Sequence, residues 1–579
     1  MRSFFKVFFA SLLAIFIFAL ILFFVVAGAV SSLATKSKPE VPEKSILQID
    51  LKQHFFEQSE NDPVAQLTGD EKGAPGLYDV IRMIHHAKTD KSIAGIYIIA
   101  DGNANGFASS AEILSALQEF KKSGKFIIAH GDQMTQSAYF VAAAADRIYL
   151  NPVGELDWTG FNVDLAFVKG TLDKLDIQPQ IFYAGKYKSA TEPFRATEMT
   201  EENKAQTTEW LNDLYHHFLV QTAISRKMDT ATLHQLANSA AIQSAEDAFK
   251  NKLVDGLRYF DQIKDEFKRR LKIEKDDKLS LFPISKYADA VDFTASGKDK
   301  IAVIYAEGDI IDGEGGNNNI GGDKFRKIIR RARLDKSIKA IVLRVNSGGG
   351  SALASENIWR ELSLIKKQKP FVVSFADVAA SGGYYIGCGG DSIFASENTI
   401  TGSIGVFTLL PNMERFFQNK LGITFDGVKT AEHADAGAVY RPLTEVEKRL
   451  VQSDVDRIYL RFKQRVADGR RKNMSNVDSI AQGRVWSGAD ALQLGLIDKV
   501  GGLQAAVECA ARMAKTNNYR LREYPEKGSW LSRLFNKSES NDPAAKLKAQ
   551  VGAENFMIFQ ELIRIKELSG TAQARLPFQ

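Results

Sequence analysis

The sequence predicts an α/β protein made of two copies of one domain behind an N-terminal membrane segment. Three features carry that expectation: an internal repeat, strand-length apolar runs alternating with helical patterns, and a long charge-free apolar stretch near the N-terminus. Taken from the N-terminus, no charged residue occurs between Val7 and Thr35, and Phe, Leu, Ile, Val and Ala dominate. A helix needs about 20 apolar residues to cross the hydrocarbon core of a bilayer. Residues 1–40 therefore read as a signal anchor, transmembrane over about 7–30, with a cleaved signal peptide as the rival. Arg2 and Lys6 precede the run, which favours a cytoplasmic N-terminus and places the remaining chain on the extracytoplasmic side.

The repeat sets the domain plan. "TDKSIAGIYI" at 89–98 returns as "LDKSIKAIVL" at 334–343, and "SAEDAFKNKLVDGL" at 244–257 returns as "SGADALQLGLIDKV" at 487–500. The plan is a first repeat over 41–295, a second over 296–515, a linking stretch near 262–299 and a tail over 516–579 with one helix near 553–568. In the second repeat, 301–311, 340–345 and 370–376 are bounded, β-rich and strand-length. Between them 324–334 and 355–368 have helical spacing, with Ser355 as the expected N-cap. Strands alternating with helices argue for largely parallel pairing.

Composition narrows the function classes. With 75 basic against 70 acidic residues the net charge of +5 gives no basic stripe of the kind nucleic acid selects. Two cysteines, Cys388 and Cys509, form neither a disulfide framework nor a metal cluster, and eight histidines show no ligand spacing. No metal and no cofactor are expected.

Two glycine-rich stretches of the second repeat follow expected strands. "RVNSGGGS" at 344–351 lets a backbone approach a ligand; "ADVAASGGYYIG" at 376–387 places Ser381 where a strand gives way to a helix. Unpaired N–H groups and the dipole at a helix start stabilise developing negative charge. A serine there is ordinarily a cap. The first repeat has lost both stretches: it carries Gln136 where Ser381 falls, and "ADGNANGF" in place of the glycines. Structural glycines and caps have no reason to vanish as a set. A serine nucleophile needs a base, and "YAGKYKSATEPF" at 183–194 offers Lys186 and Lys188, where the second repeat aligns Thr430 with Lys188. Lys429 and His433 of the second repeat are rivals. Cys388, seven residues after Ser381, reads as core packing.

Together "RVNSGGGSALASE", "AASGGYYI", "TITGSIGVF" and "GKYKSATEPF" resemble the signal peptide peptidase A family (protease IV) in its long, tandemly duplicated form. The resemblance implies tandem Clp-protease/crotonase-like spirals of ββα units and a Ser/Lys dyad. Its serine falls on Ser381, its lysine on Lys188, and the serine that orients the lysine on Ser403. Oxyanion donors are then the amides of Gly350 and Gly382. The usual "NSPGG" reads "NSGGG" here, with Gly348 in place of proline. Implied with these are signal peptides and other apolar peptides as substrates, a homotetramer, and the bacterial inner membrane as the location. A crotonase-type acyl-CoA enzyme and a non-catalytic membrane assembly platform are the alternatives.

Overall fold

The computed structural model describes residues 8, 10–18, 20–21, 38–59, 75–294, 296–316, 319–526 and 573–575. Within the expected anchor, the described residues are helical and exposed, and the rest of 7–30 lies outside the described residues. Among the described residues no helix is long and apolar enough to cross a membrane. The helix expected near 553–568 also lies outside them.

Two largely parallel sheets form the body. The first contains β1 (Ser45–Asp50), β2 (Ile93–Ile99), β3 (Phe126–Met134), β4 (Arg147–Leu156), β6 (Gly256–Leu257) and β7 (Leu281–Pro283), while β5 (Gln178–Ala184) leaves it for another sheet. Its order is β6-β4-β3-β2-β1-β7. The second repeat begins with β8 (Asp299–Glu307), β9 (Asp309–Ile311) and β10 (Asn319–Gly321), followed by β11 (Ile338–Ser347), β12 (Gly349–Ser351) and β13 (Phe371–Ala380). It continues through β14 (Ser392–Ala395), β15 (Ile400–Gly402), β16 (Val406–Asn412), β17 (Val485–Ser487), β18 (Lys499–Val500) and β19 (Tyr519–Tyr524). Its main sheet runs β17-β15-β13-β11-β8-β19, with β15 and β17 the antiparallel pair, β14 beside β13 and β18 beside β14. Strands β2 and β11 are buried nearly throughout, as their unbroken apolar runs require in a sheet covered on both faces.

The repeat is visible in register. Strands β2 and β11, β3 and β13, and β4 and β14 start at 93 and 338, 126 and 371, and 147 and 392, a constant offset of 245. The helices Leu77–Thr89 and Gly322–Leu334 keep the same offset. The two repeats share one apolar cluster, in which Leu77, Ile84 and Phe140 of the first are joined with Val303, Val342 and Val507 of the second. Ion pairs cross the same boundary. Arg344 on β11 is buried with Glu57 (2.7 Å) and Glu112 (2.7 Å) of the first repeat.

Four local expectations change. The 301–311 run is two strands, because Gly308 at φ 90° turns the chain between β8 and β9. The second helix starts earlier, at Ala352, capped by Ser351; Ser355 sits inside it and gives its hydroxyl to the Ser351 carbonyl at 2.8 Å. The stretch near 262–299 is more than a link, since it contributes a helix over Phe260–Leu271 and β7 to the first sheet. Likewise 519–524, placed in the tail by the sequence, is the edge strand β19 of the second sheet.

Candidate active site

A third sheet, of order β10-β9-β12-β20-β16-β5, joins the repeats, with β20 (Gln573–Arg575) in its middle. Strand β5 of the first repeat pairs antiparallel with β16 of the second over seven residues, from Gln178↔Asn412 to Ala184↔Val406. That register sets the end of β5 beside the start of β16. Gly185 follows at φ 109°, where a side chain would collide with the Gln482 backbone, and the chain turns inward to Lys188. The second repeat holds this turn: Tyr187 N–H donates to the Gln482 carbonyl at 2.7 Å. Gln206 on the helix Glu201–Arg226 donates to the Tyr187 carbonyl at 3.2 Å and accepts from Val485 N–H at 3.0 Å.

Ser381 follows β13 and immediately precedes the helix Gly382–Gly387. It adopts φ 53°, ψ −116°, a region L-residues occupy only under constraint, and its side chain caps nothing. The constraint is visible in the backbone: Ser381 N–H donates to the Gly402 carbonyl at 2.9 Å. The strained junction turns Oγ away from the helix start and toward the first repeat. Lys188 Nζ lies 2.8 Å from Ser381 Oγ and 3.0 Å from Ser403 Oγ. Ser403, also at positive φ, is fixed by its N–H donating to the Arg484 carbonyl at 2.6 Å.

Burial decides the electrostatics of this triangle. Lys188 is 1% exposed and Ser381 0%. Among the described residues no carboxylate offsets the desolvation of the ammonium, and burial pushes the Lys188 amine down to about 7. A neutral amine has one lone pair to receive the Ser381 proton and two N–H groups, one of which can be spent on Ser403. The arrangement can therefore generate a serine alkoxide by proton transfer, the requirement for acyl transfer.

The rival bases are placed elsewhere. Lys186 is 63% exposed and pairs with Glu202. Lys429 pairs with Asp435 at 2.6 Å and His433 lies against Glu447. Cys388 is buried and donates to the Tyr385 carbonyl, and burial pushes its thiol up to about 12. Gly382 opens the helix next to Ser381, where N–H groups lack intrahelical partners. Gly350 lies in β12, where a Cβ would meet the Ile310 carbonyl at 2.0 Å. Sequence reasoning missed Gly483: at φ 73° it packs against Lys188, and a Cβ there would lie 2.7 Å from the Lys188 Cβ. The "QGR" at 482–484 has no signature of its own, so only the fold reveals it.

A buried serine with a neutral lysine at hydrogen-bond distance is the equipment of a serine peptidase, and comparison with known proteins agrees. The sequence profile of peptidase family S49 matches twice, at 119–274 and 363–517. "Protease 4" of Haemophilus influenzae is 36% identical over 78% of this chain and 75% of its own length. "Protease 4" of Salmonella typhi is 35% identical over 79% and 75%. "Serine protease SPPA, chloroplastic" of Arabidopsis thaliana is 33% identical over 74% of this chain and 64% of its own. The chain belongs to peptidase family S49 and is a serine peptidase. A ClpP1 mutant from Listeria monocytogenes overlaps 35% of the chain and 94% of its own at 14% identity and a TM-score of 0.24, too loose to bear on the fold.

Proposed function

We propose that the protein is a membrane-anchored endopeptidase in which Ser381 is the nucleophile, Lys188 its general base and Ser403 the residue that orients the lysine. The observation that carries this reading is the 2.8 Å separation of Lys188 Nζ and Ser381 Oγ inside a site that keeps the amine near neutrality. Neutral Lys188 takes the hydroxyl proton as Ser381 attacks a peptide carbonyl. The amides of Gly350 and Gly382 hold the oxyanion, where the loss of one donor typically costs about 10²–10³ in rate. Lys188 returns the proton to the leaving amine, and water then hydrolyses the acyl-enzyme.

The substrates are cleaved signal peptides, apolar and retained in the bilayer, and the anchor over about 7–30 keeps the enzyme beside them. The first repeat, 41–295, supplies the lysine and the second, 296–515, the serine, each as a Clp-protease/crotonase-like spiral. The working form is a homotetramer on the extracytoplasmic side of a bacterial inner membrane. Incubating the full-length protein in detergent micelles with a synthetic signal peptide tests the assignment. Fragmentation that disappears in Ser381→Ala is expected; fragmentation that persists in Ser381→Ala would refute it. Turnover of an acyl-CoA by Ser381→Ala would support the crotonase alternative instead.

A further inference from the structure

A short run of the second repeat, 482–485, lies between the lysine turn and the two serines. On the lysine side, the Gln482 carbonyl accepts from Tyr187 N–H, and Gly483 packs against Lys188. On the serine side, Gly483 N–H donates to the Ile404 carbonyl at 2.8 Å, and the Arg484 carbonyl accepts from Ser403 N–H. Val485 opens β17 opposite Gly402 of β15, and the Gly402 carbonyl holds Ser381 N–H. One side chain of the first repeat binds both flanks. Gln206, buried on the helix Glu201–Arg226, accepts from Val485 N–H through Oε1 at 3.0 Å. Its Nε2 lies 3.2 Å from the Tyr187 carbonyl and 3.0 Å from Ser189 Oγ, the neighbours of Lys188 on either side.

We propose that Gln206 is a positioning residue of the dyad: one carboxamide fixes the backbone around Lys188 to the strand that sets Ser381 and Ser403. The proposal rests on the Ser381/Lys188 reading and goes beyond it by naming the group that aligns the two. A carboxamide suits the task because it donates and accepts at once from one rigid plane. It is held in its turn by Asn203, whose Oδ1 lies 3.2 Å from the Gln206 Nε2 and whose Nδ2 donates to the buried Glu192 at 2.8 Å. The repeat supplies an internal comparison. The helices Glu201–Arg226 and Glu445–Arg470 correspond at an offset of 244, which sets Leu450 where Gln206 stands. Leu450 is 61% exposed, in the copy that has Thr430 in place of the lysine. The amide is present where there is a lysine to align and absent where there is none.

The test uses the full-length chain with Gln206→Met, which keeps the length of the side chain and removes its donors and its acceptor. A misplacement of about 1 Å can cost about 10²-fold in rate. On a small peptide ester, kcat should fall by about that factor with KM within about twofold, because Gln206 acts through Lys188. The rate at which a fluorophosphonate phosphonylates Ser381, with loss of fluoride, gives a readout that a merely structural role leaves unmoved. Burial holds Lys188 near 7, so a turn that loosens and admits water should raise the pH midpoint by about one pH unit or more. Gln206→Glu keeps the shape and the Val485 contact but loses the donors, and its carboxylate favours the ammonium, so its midpoint should rise as well. Leu219→Ala, about 20 Å further along the same helix, opens a cavity in the core. It should lower stability and leave kcat and the midpoint unchanged. Wild-type kcat and midpoint in both Gln206 variants would overturn the proposal, as would a loss of rate no greater than the unfolded fraction. Labelling of Lys188→Ala at the wild-type rate would instead refute the dyad itself.

Discussion

At the end of β3, Thr135 sits at φ −74°, ψ 157° and accepts a hydrogen bond from Ala138 N–H, starting the helix Gln136–Ala142 in the ordinary way. At the matching junction after β13, Ser381 is held at φ 53°, ψ −116° and its side chain caps nothing. The same contrast holds in the preceding loop. Where the second repeat has glycines, the first fills the space with asparagines: Asn103 donates to Ser110 Oγ at 2.8 Å and Asn105 to the Gln53 carbonyl at 3.1 Å. The relaxed loop has acquired another use, because the amides of Ala108 and Ser109 bind the Asp377 carboxylate of the second repeat at 2.8 and 2.9 Å. One junction stores strain of about 1–3 kcal/mol where a nucleophile needs it; the other is free of that demand and holds the repeats together.

The largest expected effect separates the two junctions directly. Ser381→Ala should lower hydrolysis about 10⁴-fold or more, whereas Gln136→Ser at the relaxed junction should add no activity, measured as kcat/KM on a peptide ester. Next is the bond between repeats. Arg344→Met leaves Glu57 and Glu112 buried without their cation and should cost about 3–5 kcal/mol of stability by denaturant unfolding.

Lys188→Met should raise stability below neutral pH, by an amount on the order of a few kcal/mol. The buried amine titrates near 7, against 10.5 for an unperturbed lysine, so between those values the unfolded chain binds a proton that the folded chain does not. Wild-type stability therefore rises with pH across that window, and the contribution of Lys188 should vanish from the profile of the methionine variant. The smallest effects are of opposite sign at the two junctions. Thr135→Ala should lose about 1 kcal/mol with its cap. Ser381→Gly should gain up to about 1 kcal/mol, since glycine tolerates positive φ, and calorimetry of both variants checks the pair.

Much of this was legible in the sequence because a repeat turns one chain into its own comparison. The 245-residue offset predicted which strands and helices correspond, and the loss of both glycine stretches from the first copy singled out Ser381. The strand character of β5, its antiparallel register with β16 and the role of Gly483 were not legible. They arise from contact between segments more than 200 residues apart, which leaves no periodicity in either one. Ser355 resembles a cap in the sequence because Ser351 and Ser355 both precede apolar helical spacing, and only the backbone at Ser351 distinguishes them. Strand β20 is hidden for a further reason: Gln-Ala-Arg is no strand by composition, and only its pairing with β12 and β16 makes it one.

The division of labour between the repeats is tested most directly by the rate at which a fluorophosphonate phosphonylates Ser381, with loss of fluoride, as a function of pH. The dyad predicts a rate that rises to a plateau with a midpoint near 7 in the wild type and in Lys186→Ala, and that is lost in Lys188→Ala. Phosphonylation of Lys188→Ala at the wild-type rate with the same midpoint would contradict it.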